Sequence, residues 1–450
     1  MACVVGALLG TWGILVAVGR QDAALGLQGI WFIVLPFLAA VIWTFVQASS
    51  LTPTSWHHPL WETAGKAMEI DIAGAISLNP YLTLSHLARL LAYGGIFWLA
   101  IQYCRKPGRA RDVLAALTYA GFAFAVYGLI AYAFDARTMF GFEKPAYEGD
   151  LTSTFVNRNT YATYAGLVLI CATSLIIVVI TQRANAVLSQ MTREVFTDIE
   201  KAQAAHMGKP TLFTEDAIER LVRSLTRGDW FLFVAWGAVL TSLIFTHSRA
   251  GFISTVVALI ALIVVLALTR TPHRGYAAGA AGACLLGVAL VFLIGGKDLE
   301  ERLLTLSVAS EERPRVYDLT LSAIEDAPML GTGYGTFEEV FRFYRTGDIQ
   351  GYYTMAHSTY LENVLELGLP AAIALFLVFG GFLYLTLRGI RRRRRDAVYP
   401  CVGFAATLLV AVHSLVDFSL QIPAVAATYA LIMGATCAQC WSTRRPEDAW

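Results

Sequence analysis

Leu367-Gly-Leu-Pro-Ala-Ala-Ile-Ala-Leu-Phe-Leu-Val-Phe-Gly-Gly-Phe-Leu-Tyr-Leu-Thr-Leu387 runs for 21 residues without a charge, and Arg388-Gly-Ile-Arg-Arg-Arg-Arg-Arg395 follows at once. About 20 apolar residues in a helix cross the hydrocarbon core of a bilayer. Dense arginine directly after such a run marks its cytoplasmic end. On the other side of the run, Met355-Ala-His-Ser-Thr-Tyr-Leu-Glu-Asn-Val-Leu-Glu-Leu-Gly-Leu-Pro370 closes a long polar segment, so it stands where aqueous chemistry meets lipid. Within it, Ser358 or Thr359 is expected to cap a short helix with Leu361, Val364 and Leu365 on one face, and Gly368 followed by Pro370 stops it. His357 then falls at the helix N-terminus, where partial positive charge and free N–H groups suit an anion.

The whole chain follows the same pattern. Of its 450 residues 56% are hydrophobic and only 15% charged, against about 25% charged in a soluble globular protein. The expectation is an all-α polytopic membrane protein, one integral membrane domain over residues 1–450. Apolar runs place spans near 2–19, 28–49, 86–103, 113–133, 160–181, 230–247, 251–269, 276–295, 367–387, 399–416 and 421–440, which makes 11. Arg105, Lys106, Arg109 and Arg111 form a second basic anchor, and alternation from both anchors puts 22 of the 34 Lys and Arg on the cytoplasmic side. An odd number of spans with an inner C-terminus leaves the N-terminus outside, with no basic residue ahead of the first apolar run. The expectation is therefore 11 spans, with a twelfth in the full-length product left open.

Three polar pieces connect the spans. Residues 50–85, with Trp56, His57, His58 and Trp61, read as an outer interfacial segment. Residues 182–229 read as a cytoplasmic loop in which Thr214 caps an amphipathic helix bearing Ile218, Leu221, Val222 and Leu225. Residues 296–366 form a large periplasmic loop, where a helix is expected to begin near Arg313 with Pro314 in its first turn and to end at Pro328. Cysteine implies no disulfide framework. Cys104, Cys171, Cys284 and Cys401 sit in or beside apolar runs, and Cys437-x-x-Cys440 has no second pair to make a metal site.

Four outward-facing positions carry chemistry. Thr246-His-Ser-Arg-Ala-Gly251 puts Arg249 at the start of a span, where an arginine has either a functional partner or snorkels to the headgroups. Arg313 and Arg315 either hold an anion or pair with Glu311, Glu312 or Asp318. His357 is either a base or a structural loop histidine. Asn157 and Asn159, in Thr154-Phe-Val-Asn-Arg-Asn159, offer amides to sugar hydroxyls or cap the following helix. The segment 296–366 holds 6 basic and 13 acidic residues, so an anion bound there needs specific arginines and no nucleic-acid partner is expected. Gly331-Thr-Gly-Tyr-Gly335 lacks dinucleotide spacing and reads as a turn. His413 and Asp417, four apart, read as a structural hydrogen-bonded pair.

Together these motifs resemble the O-antigen ligase and O-antigen polymerase superfamily of bacterial inner-membrane proteins. The resemblance rests on Thr154–Asn159 before a span and Ser248-Arg-Ala-Gly251 opening one. It rests further on Arg313 with Tyr317 running through to Pro328–Gly335 and Phe337, and on His357-Ser followed by nine residues and Gly368. Ile76-Ser-Leu-Asn-Pro80 and His413-Ser-Leu-Val-Asp417 add to it, so the likeness covers about residues 70 to 425. Gly368-Leu-Pro-Ala371 lacks the further glycine common in ligases, which leaves ligase and polymerase both open.

The resemblance implies a GT-C-like membrane enzyme that moves a glycan from undecaprenyl diphosphate to lipid A core or a growing glycan on the periplasmic face. It implies His357 as general base, Arg249, Arg313 and Arg315 as diphosphate ligands, and Asn157, Asn159, Ser358 and Tyr317 as glycan-binding or supporting residues. Such a donor carries its own activation, so inverting transfer with no cofactor and no metal is expected. A lipid-linked glycan transporter is the rival from another class; it calls for ionisable groups near the bilayer midplane.

Overall fold

The computed structural model describes residues 1–19, 27–136, 138–139, 142–144, 146–204, 215–269, 308–393 and 396–441. The chain is mostly helical. In order the helices are α1 (Ala2–Ala17), α2 (Trp31–Ala48), α3 (Pro59–Met68), α4 (Pro80–Tyr103), α5 (Pro107–Ala133), α6 (Arg158–Ala204), α7 (Glu215–Ser224), α8 (Arg227–Phe245) and α9 (Arg249–Ala267). They continue with α10 (Val308–Asp326), α11 (Phe337–Tyr344), α12 (Thr359–Leu367), α13 (Leu369–Arg392), α14 (Val398–His413) and α15 (Pro423–Cys437). Thr138–Met139 and Phe142–Glu143 pair as a two-stranded antiparallel ladder between α5 and α6.

Seven of these helices, α2, α4, α5, α6, α8, α9 and α13, are long and apolar enough to cross a membrane; α1, α14 and α15 are apolar but shorter. The chain is thus a multi-pass, mostly helical protein. The span expected at 276–295 lies outside the described residues. So do Cys284 and the Thr214 cap, although the amphipathic helix itself is present as α7.

α6 organises the bundle. Its apolar window is 89% buried, because α5, α8, α9 and α14 pack around it. A second group, α1, α2, α4, α13 and α15, packs together, and α14 touches both groups. A helix so enclosed needs no polar face, and its apolar run is indeed continuous. The sequence reading ended this helix at 181, but the structure carries it to Ala204. From Gln182 to Ala204 there is neither Gly nor Pro, so nothing breaks the backbone when the composition turns polar. Hydropathy marked where the lipid ends. It did not mark where the helix ends.

α10, α11 and α12 form a small cap with its own core of Val316, Leu319, Phe337, Val340, Phe341 and Leu365. α10 begins at Val308, five residues before Arg313, and Pro314 lies inside it. That corrects the expected start. The proline removes one backbone donor, and the helix ends at Asp326, before Pro328.

α13 sets the distance between the two motifs that decide the fold. It starts beside the His357 segment and ends at Arg392, so its 24 residues separate the two by about 36 Å. The N-termini of α6 and α9 and the C-terminus of α14 lie at the His357 end.

Candidate active site

His357 precedes α12 in the left-handed region, with φ +55°, a conformation that costs a non-glycine residue about 1–2 kcal/mol. Two contacts hold it there. Tyr317 Oη donates to the His357 carbonyl at 2.9 Å, and the imidazole meets the Phe418 and Tyr353 rings edge-on at 4.9 and 5.7 Å. The Tyr353 hydroxyl in turn donates to Glu312 at 3.0 Å. Burial first, and the Arg313 guanidinium second, lower the His357 pKa to about 4. The ring is therefore neutral at ordinary pH.

One of the helix N–H groups expected to suit an anion is already taken. The Thr359 amide donates to the carbonyls of Ser414 and Asp417 at 3.0 and 3.2 Å, so it is not free for an anion. Ser358 occupies the N-cap position, but its side chain makes no cap hydrogen bond. Instead the Glu362 carboxyl reaches back and accepts from the Ala356 amide at 2.9 Å, and Thr359 Oγ1 donates to the Asp417 carbonyl at 2.9 Å. Two chain ends are thereby locked: the start of α12 and the turn after α14.

Arg313 and Arg315 separate cleanly. Residues two apart on a helix do not share a face. Arg315 points to solvent and pairs with Asp348 at 3.3 Å. Arg313 turns inward, with a long 3.5 Å contact to the Val416 carbonyl, and its charge acts on His357, Tyr147, Tyr317 and Asp417. Arg249 opens α9 directly after Ser248, whose side chain caps the helix by accepting from the Gly251 amide and donates to Asn159 Oδ1 at 2.8 Å. Asn159 is buried and also reaches the Asp417 carboxylate. Asn157 does what the plainer reading gave it: its carbonyl oxygen caps α6 by accepting from the amides of Asn159 and Thr160, while its amide donates to the Tyr147 hydroxyl.

His413 and Asp417 are not the hydrogen-bonded pair expected from their spacing. His413 Nε2 and Asp417 Oδ2 stand 3.9 Å apart, too far for such a bond. His413 is held from its other nitrogen by Thr163 and Ser419 at 3.0 and 3.2 Å, and Asp417 by the Phe418 amide at 2.7 Å. Asp417 Oδ2, His413 Nε2 and His357 Nδ1 are each buried with no hydrogen-bond partner among the described residues. Burial lifts the Asp417 pKa to about 6. Native interiors seldom leave such groups unpaired outside functional sites.

Beside this cluster lies a set the sequence reading missed. Asp150 accepts from Arg158 at 2.7 Å and faces His247 Nδ1 at 2.7 Å, while Arg158 lies over the Tyr147 ring at 5.4 Å. Tyr147, Ser153, His247 and His357 all have positive φ. Backbone strain of this kind collects where geometry is functional. The signal available in the sequence was the polar strap before Asn157; its partners come from a different loop about 100 residues away. Among the described residues, no group of three or more His, Cys, Asp or Glu is placed to hold a metal.

No curated protein matches this chain. Residues 233–376, which take in Arg249, Arg313, Tyr317 and His357, match the family model described as O-antigen ligase, and this domain supports membership of the O-antigen ligase superfamily.

Proposed function

We propose that the protein is an inverting membrane glycosyltransferase that moves a glycan from undecaprenyl diphosphate to an acceptor hydroxyl on the periplasmic face. The observation that carries this reading is the pairing of a neutral, buried imidazole with an inward arginine: Arg313 acts on His357, and Tyr317 of the same helix holds the His357 backbone. The acceptor oxygen attacks the anomeric carbon as its proton passes to His357. The carbon–oxygen bond to the diphosphate breaks, and its electron pair leaves with the diphosphate. Guanidinium groups suit those oxygens because their planar donors match phosphate geometry. Arg313, with Arg249 next in the chain to the Ser248 that donates to Asn159, takes that role.

The low pKa of His357 fits the order of events. Before the donor arrives, burial and then Arg313 keep the ring deprotonated. When the diphosphate neutralises Arg313, one of the two causes that lower the pKa is removed, and the ring becomes a better proton acceptor as it is needed.

Purified protein in liposomes, given a lipid-diphosphate-linked glycan and an acceptor glycolipid, tests the reading. Transfer without an ion gradient, lost by about 10²–10⁴-fold in His357→Ala with the fold retained, is the expected result. Full activity in that variant removes His357 as the base. Deleting the gene separates the two members of the superfamily: long unattached glycan on the carrier marks a ligase, and single-repeat products mark a polymerase.

A further inference from the structure

A cavity of about 890 Å³ opens between α2 and α13 and runs from Ala374 to Arg388, towards the end of α13 far from His357. Both walls are built from one face of a helix. On α2, Leu35, Pro36 and Ala39 fall three, four and seven residues after Phe32; on α13, Ala374, Leu377, Gly381, Tyr384 and Arg388 step by three, four, three and four. The helices touch at Gly381, where a Cβ would come within 2.7 Å of Ile33 Cγ1. Beside it, a Cβ on Gly380 would meet nothing within 4 Å among the described residues. The groove is therefore open above the line of contact, and its floor is apolar.

Its two ends differ. Trp31, Tyr384 and Trp441 line the end next to the arginine run, and such rings favour the headgroup level of a bilayer. Arg388 closes that end, half-buried, with no ion pair or hydrogen bond among the described residues. Its neighbours are already sorted. Arg393 is buried and committed to Asp396 and the Trp441 carbonyl, whereas Arg391 and Arg392 are exposed. A half-buried guanidinium without a carboxylate is costly unless an anion completes it.

We propose that this groove binds one phospholipid with an anionic headgroup, its phosphate on Arg388 and an acyl chain along the apolar floor. From Ala374 to Arg388 the helix rises about 21 Å, enough for a chain that spans one leaflet of a hydrocarbon core about 30 Å thick. Polyanion or free phosphate would use the arginine but not the floor. A neutral lipid would use the floor but not the arginine.

Native mass spectrometry of the full chain, delipidated and titrated with phosphatidylglycerol, phosphatidylcholine or inorganic phosphate, tests this. The wild type is expected to retain one phosphatidylglycerol at concentrations where phosphatidylcholine and phosphate are lost. Arg388→Gln should weaken that adduct about tenfold. Gly380→Trp, which fills the open groove and keeps every charge, should weaken it as much. The double variant Arg391→Gln/Arg392→Gln should stay within twofold of wild type. Equal binding in Arg388→Gln, equal binding in Gly380→Trp, an equal loss in the double variant, or equal retention of phosphatidylcholine or phosphate would each overturn the proposal.

Discussion

Tyr317, in the middle of α10, donates its hydroxyl proton to the backbone carbonyl of His357 at 2.9 Å, so the helix that carries Arg313 also fixes the loop that carries the imidazole. The bond holds a strained backbone: φ at His357 is +55°, at a cost of about 1–2 kcal/mol that one hydrogen bond of about 1 kcal/mol largely offsets. Tyr317→Phe is expected to lower kcat about tenfold with little change in KM or melting temperature. A wild-type kcat would show that the ring packing alone holds His357.

Arg313 and Arg315 should part company in a transfer assay. Arg313→Ala removes the inward charge and should cost about 10²–10³-fold in kcat, with Arg313→Lys recovering only part, because a point charge replaces a fork. Arg315→Ala breaks only an exposed pair with Asp348 and should leave the rate within twofold of wild type. Equal losses in the two alanine variants would refute the assignment.

The acid limb of kcat/KM follows from His357. Burial and Arg313 lower its pKa to about 4, so the base form predominates above that pH. Activity should stay flat from pH 7 to 5 and fall only as pH approaches 4. In Arg313→Gln the residual activity should lose its acid limb at higher pH, towards the ordinary histidine value of 6.5, since removing a cation favours the imidazolium. A wild-type limb already at 6.5 would contradict the buried, neutral ring.

Stability should fall as pH rises, because of two buried glutamates in α12. Burial is the largest cause that raises the pKa of both Glu362 and Glu366, and for Glu362 the charge of Glu366 adds to it. Glu366 accepts from the amide of Phe337 at 3.0 Å. In the unfolded chain these groups titrate near 4.5, so above that pH the folded state binds more protons than the unfolded one. Linkage then makes stability decrease with pH until the folded groups titrate. Glu366→Gln keeps the accepting oxygen and removes the titration. Its melting temperature should vary less between pH 5 and 8 than that of the wild type; an unchanged slope would mean that Glu366 is ionised in the fold.

The chain's own residues fix a good deal without a structure. Runs such as Leu367–Leu387 can satisfy their backbone in lipid only as helices, so the order of the apolar helices could be read directly. The turn at Gly331–Gly335 was legible as a turn, since glycine at φ of +68°, +106° and +89° is what such a path requires. Its purpose was not. A Cβ at Gly331 would come within 2.4 Å of the Glu366 carbonyl and one at Gly368 within 2.4 Å of the Met329 carbonyl, so the two glycines interlock across the end of α12. That contact joins segments 37 residues apart, and no local pattern encodes it.

The candidate site divides in the same way. Residue type and order singled out His357, Arg249, Arg313 and Asn159, because a base and a phosphate ligand each need particular side chains. Which arginine turns inward depended on how α10 packs against α12 and the turn after α14. That His413 and Asp417 face each other unbonded, and that Asp150 ties Arg158 to His247, depended on three loops meeting above the start of α6. Sequence supplied the groups and the end of the bundle they occupy; only the packed helices, by burying them together, decided which of them act on one another.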